Sequence, residues 1–542
     1  MVDSVLEEAP RPVAHKWNIP VWRHLEAAPK PFDEDEVPVL VVGAGPVGLA
    51  MALDLGRRGH RVTVVSRLDF IAGGSKAICF SKRTLDIMQR LGVGEQLLNL
   101  GVTWNVGKVY WKDRSEPVFQ FDMLPVKDQQ YPGFINLQQY HFEDVLMRAL
   151  EALPNVTVRT GHAIVGVNPH ADHVEVALEC PQGTYATRCQ WLVACDGSRS
   201  TVRQLLGLDF EGRVFEDNFL IADIRMEGQM APERKFWFDP PFNPGQSALM
   251  HQQPDGVWRL DFQLGWNIDR TQAAQPENVE RYVRAMLGTD VSFNEEWYSV
   301  YTFQCRRMQR FVHGRVLFAG DSAHLVSPFG ARGCNGGLAD VDNLGWKLDR
   351  VLTDRGATTL LESYNHEAVA TADENILNST RATEFLTPKT PASRAFRDAV
   401  LELAATQSFA RPFVNSGRLS TAVSYPESPL NSPDSQRWVR GVPPGSPALD
   451  APLDKDWLLS HLGNRFVLLA NRWTEALPSG VELLDVSNLP GAYPILIERY
   501  GLEEGSGYLV RPDQYVAARW KRPVSAQEIL AALQKACGGV TL

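Results

Sequence analysis

A CxxC motif is absent from this chain of 542 residues. The sequence has seven cysteines, an odd number, and no two of them form a CxxC pair. Such pairs are the usual sign of a zinc site or a reactive dithiol, so the sequence predicts neither a metal centre nor dithiol chemistry. Unpaired cysteines are typical of proteins that work in the reducing cytoplasm.

Basic clusters and long apolar runs are also missing. The formal net charge is −10, the isoelectric point is near 5.7, and no long run of lysine and arginine occurs. Nucleic acids and anionic membranes attract basic patches, so neither is an expected partner. No stretch approaches the roughly 18 apolar residues of a membrane span. The first residues, MVDSVLEEAPRP, lack the basic and apolar regions of a secretory signal, so we expect a cytoplasmic protein.

Apolar residues make up 44% of the chain, which is enough for more than one buried core. The patterns predict an α/β protein in four segments. Residues 1–36 show no sustained periodicity and are expected to form an arm over the main body. Residues 37–400 alternate apolar strands with helical patterns, and a strand-rich block at about 205–310 interrupts them. Residues 401–442 are predicted to be a linker region, and residues 443–542 a separate small α/β domain.

A glycine-rich turn follows the first predicted strand of the main domain. Its sequence is Gly43-Ala-Gly45-Pro-Val-Gly48, placed between an apolar strand and a helical pattern. In a dinucleotide-binding turn the first glycine permits the tight turn, the second lets backbone amides approach a pyrophosphate, and the third lets the helix pack on the strand. The N-terminus of the helix then faces the phosphates.

The second strand departs from the dinucleotide-binding pattern at its end. Ser66-Arg67 stands where an aspartate or glutamate usually binds the ribose hydroxyls. Ribose contact is therefore expected from a weaker or different group. Arg67 either lies against the adenine or its phosphate, or is a solvated surface residue.

Two further strands end in an aspartate beside a glycine. One runs into Asp196-Gly197, which alone would indicate only a turn. The other ends in Gly320-Asp321, and an aspartate in this place can accept a hydrogen bond from a ribitol hydroxyl. The glycine-rich loop Ser327–Gly337 then enters a helix and can offer backbone amides to a flavin or a phosphate.

The three motifs in this order resemble those of the class A flavoprotein monooxygenases, the p-hydroxybenzoate hydroxylase and phenol hydroxylase family. The resemblance covers roughly Val37–Arg381. It implies a Rossmann-like FAD-binding domain with an inserted β-sheet that covers the substrate. It also implies that Asp321 binds the ribityl-pyrophosphate part of FAD, and that Asp196 and Gly197 serve both FAD and NAD(P)H.

Two other segments match the family pattern. Gln139, with Gln138 as the near alternative, corresponds to a glutamine that lies against the flavin early in a helix. Lys76 stands where an arginine more usually touches the FAD phosphates, which keeps the charge but loses the bidentate fork. The resemblance therefore implies cofactor contacts from both residues.

The glycine-rich loop resembles the loop that lines the isoalloxazine ring in the hydroxylases. By this likeness Gly333, Cys334 and Asn335 lie at the flavin. The backbone carbonyl of Pro328 is expected to face the reacting hydroxyl of the substrate.

Two side chains near this loop have alternative roles. The resemblance implies that Arg332 helps hold negative charge on the reduced flavin, and the alternative is that it only caps a surface loop. His324 is expected to be a structural hydrogen-bonding partner and not a catalytic base.

The reaction that the resemblance implies is hydroxylation of an aromatic ring with O₂ and NAD(P)H. Side chains cannot insert oxygen, so FAD has to carry that chemistry. The expected cycle is reduction of FAD, formation of a C4a-hydroperoxide with O₂, and hydroxyl transfer to an electron-rich ring. The substrate is expected between the loop and the inserted sheet, where the candidate wall residues are Trp237, Phe238, Met250, His251, Gln253, Arg259 and Phe262.

Two other functions stay open at the level of sequence. A flavin halogenase would share the fold, but its Trp-x-Trp-x-Ile-Pro signature is missing and Trp17-Asn-Ile-Pro20 is only a fragment of it. A non-catalytic flavin-binding protein would not need the geometry of the loop Pro328–Asn335.

The last segment resembles the thioredoxin-like domain of some phenol hydroxylase relatives, which has lost its redox cysteines. The matching stretch is Tyr508-Leu509-Val510-Arg511-Pro512-Asp513. Cys537 is the only cysteine in this segment, so dithiol chemistry is excluded there. A structural role or a role in forming a homodimer is expected.

Overall fold

A computed structural model of the chain describes residues 21–25, 36–74, 76–104, 106–122, 124, 126–226, 231–266, 268–353, 357–414, 421–491 and 493–539. In the first part of the chain the strands are β1 (Val21–His24), β2 (Glu36–Val42), β3 (Val62–Ser66), β4 (Phe70–Ala72), β5 (Cys79–Ser81), β6 (Val102–Thr103), β7 (Val106–Trp111), β8 (Phe119–Asp122), β9 (Phe134–Asn136), β10 (Val156–Thr160), β11 (Ala163–Pro169), β12 (Val174–Cys180) and β13 (Gly183–Ala194). The helices there are α1 (Pro46–Arg57), α2 (Lys82–Arg90), α3 (Gly94–Leu100) and α4 (Gln139–Glu151).

The middle part continues with β14 (Glu211–Met226), β15 (Arg234–Phe238), β16 (Ser247–Gln252), β17 (Val257–Gly265), β18 (Phe293–Arg307), β19 (Val312–His313), β20 (Val316–Phe318) and β21 (His324–Leu325). Its helices are α5 (Thr201–Leu205), α6 (Arg270–Ala273), α7 (Pro276–Leu287), α8 (Arg332–Leu352), α9 (Leu360–Leu386), α10 (Pro391–Thr406) and α11 (Arg411–Val414). The last part holds β22 (Pro452–Leu453), β23 (Asp456–Trp457), β24 (Phe466–Ala470), β25 (Val481–Asp485), β26 (Gly507–Val510), β27 (Val516–Trp520), α12 (Pro494–Tyr500) and α13 (Ala526–Ala536).

The first large sheet is the predicted Rossmann-like sheet. Its strand order is β10-β3-β2-β13-β12-β11. The short strand β20 pairs with the C-terminal end of β13, on the edge opposite β2. The strands β10, β3, β2, β13 and β20 run parallel, and their centre is fully buried, as Val39, Leu40 and Val41 show. Parallel strands covered on both faces read as continuous apolar runs, which is why this part was predictable.

The second large sheet is the inserted sheet, and it is wider than predicted. Its order is β21-β18-β14-β17-β16-β15-β7-β8. The predicted block at about 205–310 supplies β14 to β18, but β7 and β8 come from much earlier in the chain, and β7 pairs in parallel with β15. One face of this sheet packs under α7, and we call the opposite face, which turns toward the FAD-binding domain, the inner face.

The predicted linker region 401–442 is an ordered part of the fold where the structure describes it. It begins inside α10, and Tyr425 and Leu430 are buried. The Tyr425 ring stacks on Tyr515 of the last domain with 4.8 Å between centroids, and its hydroxyl bonds to Thr371 of α9 (2.8 Å). The assignment of residues 401–442 as a linker region stays a prediction, and in its described part the chain forms turns that pack against α9 and the last domain.

The last domain has a mixed sheet, β25-β24-β26-β27, with α12 and α13.

At the other end of the chain, β1 of the predicted arm pairs with β4, and Arg23 forms an ion pair with Asp144 of α4 (3.1 Å). The rest of the arm, including Trp17, lies outside the described residues. None of the helices that the structure describes has the length and apolar character needed to cross a membrane.

Candidate active site

Three parallel strands of the first sheet end in register. Val42 of β2 pairs with Ala194 of β13, and Ala194 pairs with Phe318 of β20. Ligands of open α/β sheets bind at the carboxyl ends of the strands. The motif residues that follow these strands are thereby brought to one edge of the sheet: Gly43, Asp196 and Asp321.

Each glycine of the first turn meets a different steric demand. Gly43 has φ +107°, and a Cβ there would collide with Cys195 O. A Cβ on Gly48 would collide with Gly43 O. No heavy atom of the described residues lies within 4 Å of the position that a Cβ on Gly45 would take. Gly45 is the N-cap of α1 and has no side chain to cap the helix, so the first helical amides face a space suited to a pyrophosphate.

Asp196 has one committed and one uncommitted carboxylate oxygen. Its Oδ2 accepts a hydrogen bond from Val202 N at the start of α5 (3.1 Å). Its Oδ1 is buried without a hydrogen-bond partner among the described residues. Burial raises the pKa of this carboxyl, and Ser200 and the Val202 amide act in the opposite direction. A buried acceptor without a partner is costly, so Oδ1 is suited to a ligand hydroxyl.

Asp321 lies in the 3-10 turn after β20, and we call the space along the strand ends at Gly45, Asp196 and Asp321 the groove. Its side chain is accessible to solvent, yet burial by the surrounding protein raises its pKa, while His324 and Lys76 lower it. The turn is fixed from behind, because Asp340 Oδ2 accepts hydrogen bonds from Gly320 N (2.8 Å) and His324 Nε2 (2.7 Å). This contact agrees with the structural role expected for His324.

Charged groups from other segments reach the same groove. Burial raises the pKa of Glu143 to about 7, and Gln139 and Lys76 act to lower it. Burial also raises the pKa of Cys334, and the charges of Asp321 and Glu143 raise it further. These mutual effects place Lys76, Glu143, Asp321 and Cys334 within electrostatic range of one another.

The two candidate glutamines at the start of α4 have different surroundings. Gln139 Oε1 accepts a hydrogen bond from Ala77 N (3.1 Å), and its Nε2 donates to Glu143 Oε1 (2.8 Å). Gln138 is buried, and its Nε2 donates to Pro254 O in the turn between β16 and β17 (3.3 Å). Gln139 therefore belongs to the groove, and Gln138 contacts the second sheet.

The polar atoms of Ser66, at the end of β3, bond mainly to the backbone of neighbouring segments. The hydroxyl of Ser66 accepts a hydrogen bond from Leu68 N (3.2 Å), and the Ser66 carbonyl accepts one from His162 N (2.8 Å). The hydroxyl keeps its own proton to donate to a ribose oxygen. Arg67 is exposed.

The glycine-rich loop is held mainly by its own backbone. Pro328 O accepts a hydrogen bond from Ala331 N (2.9 Å), which closes a turn in which Ala331 has φ +53°. One lone pair of the Pro328 carbonyl therefore serves the loop, and only the other is left for the predicted contact with a substrate hydroxyl.

Arg332 and Asn335 are the first polar side chains of α8. Arg332 is buried, and its Nη1 donates to Asn375 of α9 (2.9 Å), so it does not merely cap a surface loop. Asn335 Oδ1 accepts hydrogen bonds from Ser81 N (2.9 Å) and Thr84 Oγ1 (2.6 Å). Asn335 therefore ties the loop to β5 and α2, while the neighbouring Gly333 and Cys334 are half-buried.

Arg203 joins two motifs, a role that the sequence did not predict. Its Nη1 donates to Ser322 O (2.8 Å) beside Asp321, and its Nη2 donates to Ser198 O (2.9 Å) beside Asp196. Its place within the Asp-Gly segment was the available signal.

The inner face of the second sheet closes the groove. Phe219 of β14 packs against Phe329 of the loop with 4.7 Å between ring centroids, and Arg259 Nη1 donates to Lys76 O (3.3 Å). The wall residues proposed from sequence divide between the faces, since side chains alternate along a strand. Those in the core under α7, and not on the inner face, are Trp237, Met250 and Phe262.

The residues present fit FAD. The open space at Gly45 accepts a pyrophosphate, the uncommitted Oδ1 of Asp196 accepts a hydroxyl, and Asp321 lies at the adjoining strand end. The relative positions of these three groups are set by the register of the parallel strands that precede them, and not by the conformation of the loops alone.

A family described as "FAD binding domain" matches residues 36–379. The chain is 32% identical to a 12-dehydrotetracycline 5-monooxygenase/anhydrotetracycline 6-monooxygenase of Streptomyces rimosus subsp. rimosus over 384 residues, which are 67% of this chain and 73% of that protein. It is 31% identical to a 3-(3-hydroxy-phenyl)propionate/3-hydroxycinnamic acid hydroxylase of Escherichia coli O139:H28 over 374 residues, which are 68% of this chain and 66% of that protein.

Solved structures share the fold over most of the chain. The flavin-dependent monooxygenase PieE, solved with FAD and substrate, has a TM-score of 0.80 at 21% identity and covers 93% of this chain and 99% of its own. Aklavinone-11 hydroxylase with FAD and aklavinone has a TM-score of 0.77 at 21% identity, over 94% of this chain and 100% of its own. At these identities the likeness shows the fold alone.

Proposed function

We propose a function from one premise: the chain belongs to the family of proteins that carry this FAD binding domain. The proposed activity is that of a FAD-dependent monooxygenase that consumes NAD(P)H and hydroxylates an aromatic ring. The observation that carries the proposal is the junction of the FAD-binding strand ends with the inner face of the second sheet, through Phe329 and Lys76.

The groove residues have separate roles in holding FAD. Gly45 leaves room for the pyrophosphate at the N-terminus of α1, and Asp196 Oδ1 accepts a hydrogen bond from a hydroxyl of the cofactor or of NAD(P)H. Asp321 accepts a hydrogen bond from the ribityl chain. Lys76 supplies positive charge near the phosphates, as its effect on the Asp321 pKa supports.

The protein around the flavin positions the substrate and excludes water. When bound, FAD supplies the electron transfer and O₂ activation that side chains lack. Phe219, Phe303 and Phe329 form an aromatic cluster where the loop meets the inner face, with centroid distances of 4.7 to 5.7 Å. The buried guanidinium of Arg332 places a positive charge at the start of α8, where it stabilises negative charge on a reduced ring.

A phenolic ring is the proposed substrate class. One relative is named for 12-dehydrotetracycline and anhydrotetracycline, and the other for a hydroxyphenyl acid. A hydroxyl on the ring increases its electron density, which favours electrophilic hydroxylation. The aromatic cluster at Phe219 supplies apolar surface for such a ring.

The test is the NAD(P)H oxidation rate of the purified yellow protein with a panel of phenols. Cyclohexanols with the same substituents serve as matched controls without an aromatic ring. We expect at least one phenol to accelerate NAD(P)H oxidation and to yield a product that carries one added oxygen atom. The proposal is wrong if FAD is bound but no aromatic compound accelerates oxidation or gains oxygen.

Three further properties belong to the same proposal. O₂ is the oxidant, and ¹⁸O₂ should therefore label the product. The protein works in the cytoplasm, in line with the free state of Cys79, Cys195 and the other cysteines. A homodimer is proposed, and light scattering of the FAD-loaded protein measures the oligomeric state.

A further inference from the structure

A row of polar side chains crosses the inner face of the second sheet. His251 of β16 is the register partner of Arg259 of β17, and Arg259 is the partner of Asp223 of β14. Arg234 of β15 precedes the partner of Met250 and so flanks His251. Buried polar groups on a sheet face are costly unless they bond to one another or to a ligand.

Part of this row is satisfied internally. Arg259 binds both carboxylate oxygens of Asp223 at 2.7 Å each, and Gln253 Nε2 also donates to Asp223 Oδ1 (3.0 Å). Because Asp223 is committed to these donors, it is not available to a substrate.

Other atoms of the row lack partners. His251 is 3% exposed, and its Nε2 has no hydrogen-bond partner among the described residues. The same holds for Gln253 Oε1 and Arg234 Nη1. These three buried atoms, a ring nitrogen, an acceptor oxygen and a donor nitrogen, indicate that something polar binds against this part of the inner face.

Asp261 lies beside the row on the same face. It follows Arg259 by two residues on β17, and its register partners are Leu249 and Ile221. Its side chain is 14% exposed, and its Oδ2 lies 3.9 Å from His251 Nε2, beyond hydrogen-bond distance. Within the described part of the chain, no hydrogen bond satisfies this carboxylate, although it is surrounded by side chains on five other strands.

We propose that Asp261 is the group that accepts the proton of the substrate's reacting hydroxyl, with His251 positioned beside it. This inference rests on the proposed function. The phenol O–H bond breaks, its proton forms a new O–H bond with Asp261, and the electron pair stays on the phenolate oxygen. The guanidinium groups of Arg234 and Arg259 favour that negative charge, and the electron-rich ring is then ready for hydroxylation.

The ionisation of Asp261 fits this task. Burial raises its pKa to about 6, Arg259 and Arg234 lower it, and Asp223 raises it. The group is therefore a carboxylate at neutral pH and can still take up a proton. The titratable and charged groups that face it are Arg259 on its own strand, Asp223 on β14, Arg234 on β15, His251 on β16, Tyr301 on β18 and Cys79 on β5. Burial, Arg234 and Arg259 keep the pKa of His251 well below its usual range, so His251 stays neutral.

The first test is the pH profile of kcat/KM of the FAD-loaded enzyme with two phenols of different acidity. We expect the rate to fall about tenfold per pH unit below about pH 6, at the same pH for both phenols. The proposal is overturned if this inflection moves with the pKa of the phenol, because the titrating group is then the substrate.

The second test compares Asp261→Asn with Asp255→Asn. Asp255 lies in the exposed turn that joins β16 to β17 and has φ +62°, which asparagine tolerates. Asp261→Asn should lower kcat/KM at neutral pH about a hundredfold or more and remove the acid limb. Its rate should recover at a pH near the pKa of the phenol, where no base is needed. Asp255→Asn should behave as wild type.

An Asp261→Asn enzyme that keeps its acid limb and loses less than threefold in kcat/KM overturns the proposal. FAD absorbance and thermal melting show whether the variant is folded, and if it is not, the wild-type profiles decide. Binding of 4-nitrophenol, whose phenolate is yellow, gives a readout without turnover. Wild type should bind it as the phenolate at a lower pH than free solution allows, and equal behaviour of bound and free probe overturns the proposal. Failure of all phenols to accelerate NAD(P)H oxidation instead refutes the proposed function.

Discussion

Arg511, between β26 and β27, and Glu367 of α9 form a two-point ion pair (2.7 and 3.0 Å) in which neither side chain reaches solvent. Glu367 also accepts a hydrogen bond from Lys347 of α8 (2.7 Å), and Arg511 also pairs with Asp513. Arg511 and Lys347 hold the pKa of Glu367 well below its usual range, although burial alone would raise it. The last domain therefore contributes charge directly to the core of the FAD-binding domain.

Arg511→Met should strongly destabilise the protein. The substitution leaves Glu367 and Asp513 buried without their main partner, and breaking such a pair costs about 3 to 5 kcal/mol. The exposed pair Arg465–Glu482 provides the control, since Arg465→Met should cost less than about 1 kcal/mol. Denaturant midpoints, followed by FAD release and by tryptophan fluorescence, measure both effects. Equal midpoints for the two variants would show that the buried pair is not structural.

Gly45→Ala and Gly48→Ala should separate cofactor binding from folding. In the part of the chain that the structure describes, a Cβ at Gly45 meets no atom within 4 Å, so the variant should fold but obstruct the pyrophosphate. A Cβ at Gly48 collides with the Gly43 carbonyl and should disturb the fold itself. We expect FAD affinity to fall at least about tenfold in Gly45→Ala, equal to about 1.4 kcal/mol, with an unchanged melting temperature of the flavin-free protein. Unchanged FAD affinity would contradict the assigned position of the pyrophosphate.

Glu143 should make stability depend on pH. Its pKa in the folded protein is about 7 against an ordinary 4.5, so folding favours the protonated form. The contribution of Glu143 to stability should therefore decline as pH rises from about 4.5 to about 7, by about 3 kcal/mol. Glu143→Gln should reduce the loss of stability across this pH range by about 3 kcal/mol in the flavin-free protein, and the exposed Glu95→Gln should leave it as in the wild type. Parallel curves of unfolding free energy against pH for both variants would refute the buried carboxyl as the cause.

Asn335→Ala should loosen the loop at the flavin. The side chain joins Ser81 and Thr84 to the start of α8, and its removal leaves a buried amide and hydroxyl without an acceptor. We expect a loss of about 2 kcal/mol and faster FAD release. Asn378→Ala removes only a local bond to Glu374 O in α9 and should cost less than about 1 kcal/mol. Stopped-flow FAD dissociation distinguishes the variants, and equal release rates would exclude a role of Asn335 in holding the loop.

Local patterns made the FAD-binding half predictable. The turn Gly43–Gly48 and the strand ends at Asp196 and Asp321 follow from short sequences with their own steric and hydrogen-bonding demands. The helix α8 begins at Arg332, earlier than its apolar pattern from Leu338 indicates, because Ala331 adopts a left-handed conformation that ends the loop.

Long-range contacts could not be predicted in the same way. The pairing of β7 with β15, the ion pair of Arg511 and the bridge made by Arg203 join residues far apart in sequence, and no local periodicity encodes them. Three of the seven candidate wall residues, Trp237, Met250 and Phe262, lie on the other face for a related reason, because a strand pattern gives two faces but does not tell which one meets the cofactor.

The shared register of Val42, Ala194 and Phe318 also determines where this chain can tolerate changes in length. Removing one residue within β13 would shift Asp196 by about 3.3 Å and turn every following side chain to the opposite face. Insertions in the loops that enter these strands leave the three ends aligned. Insertions at the edge of the sheet away from the cofactor should therefore leave flavin binding unchanged.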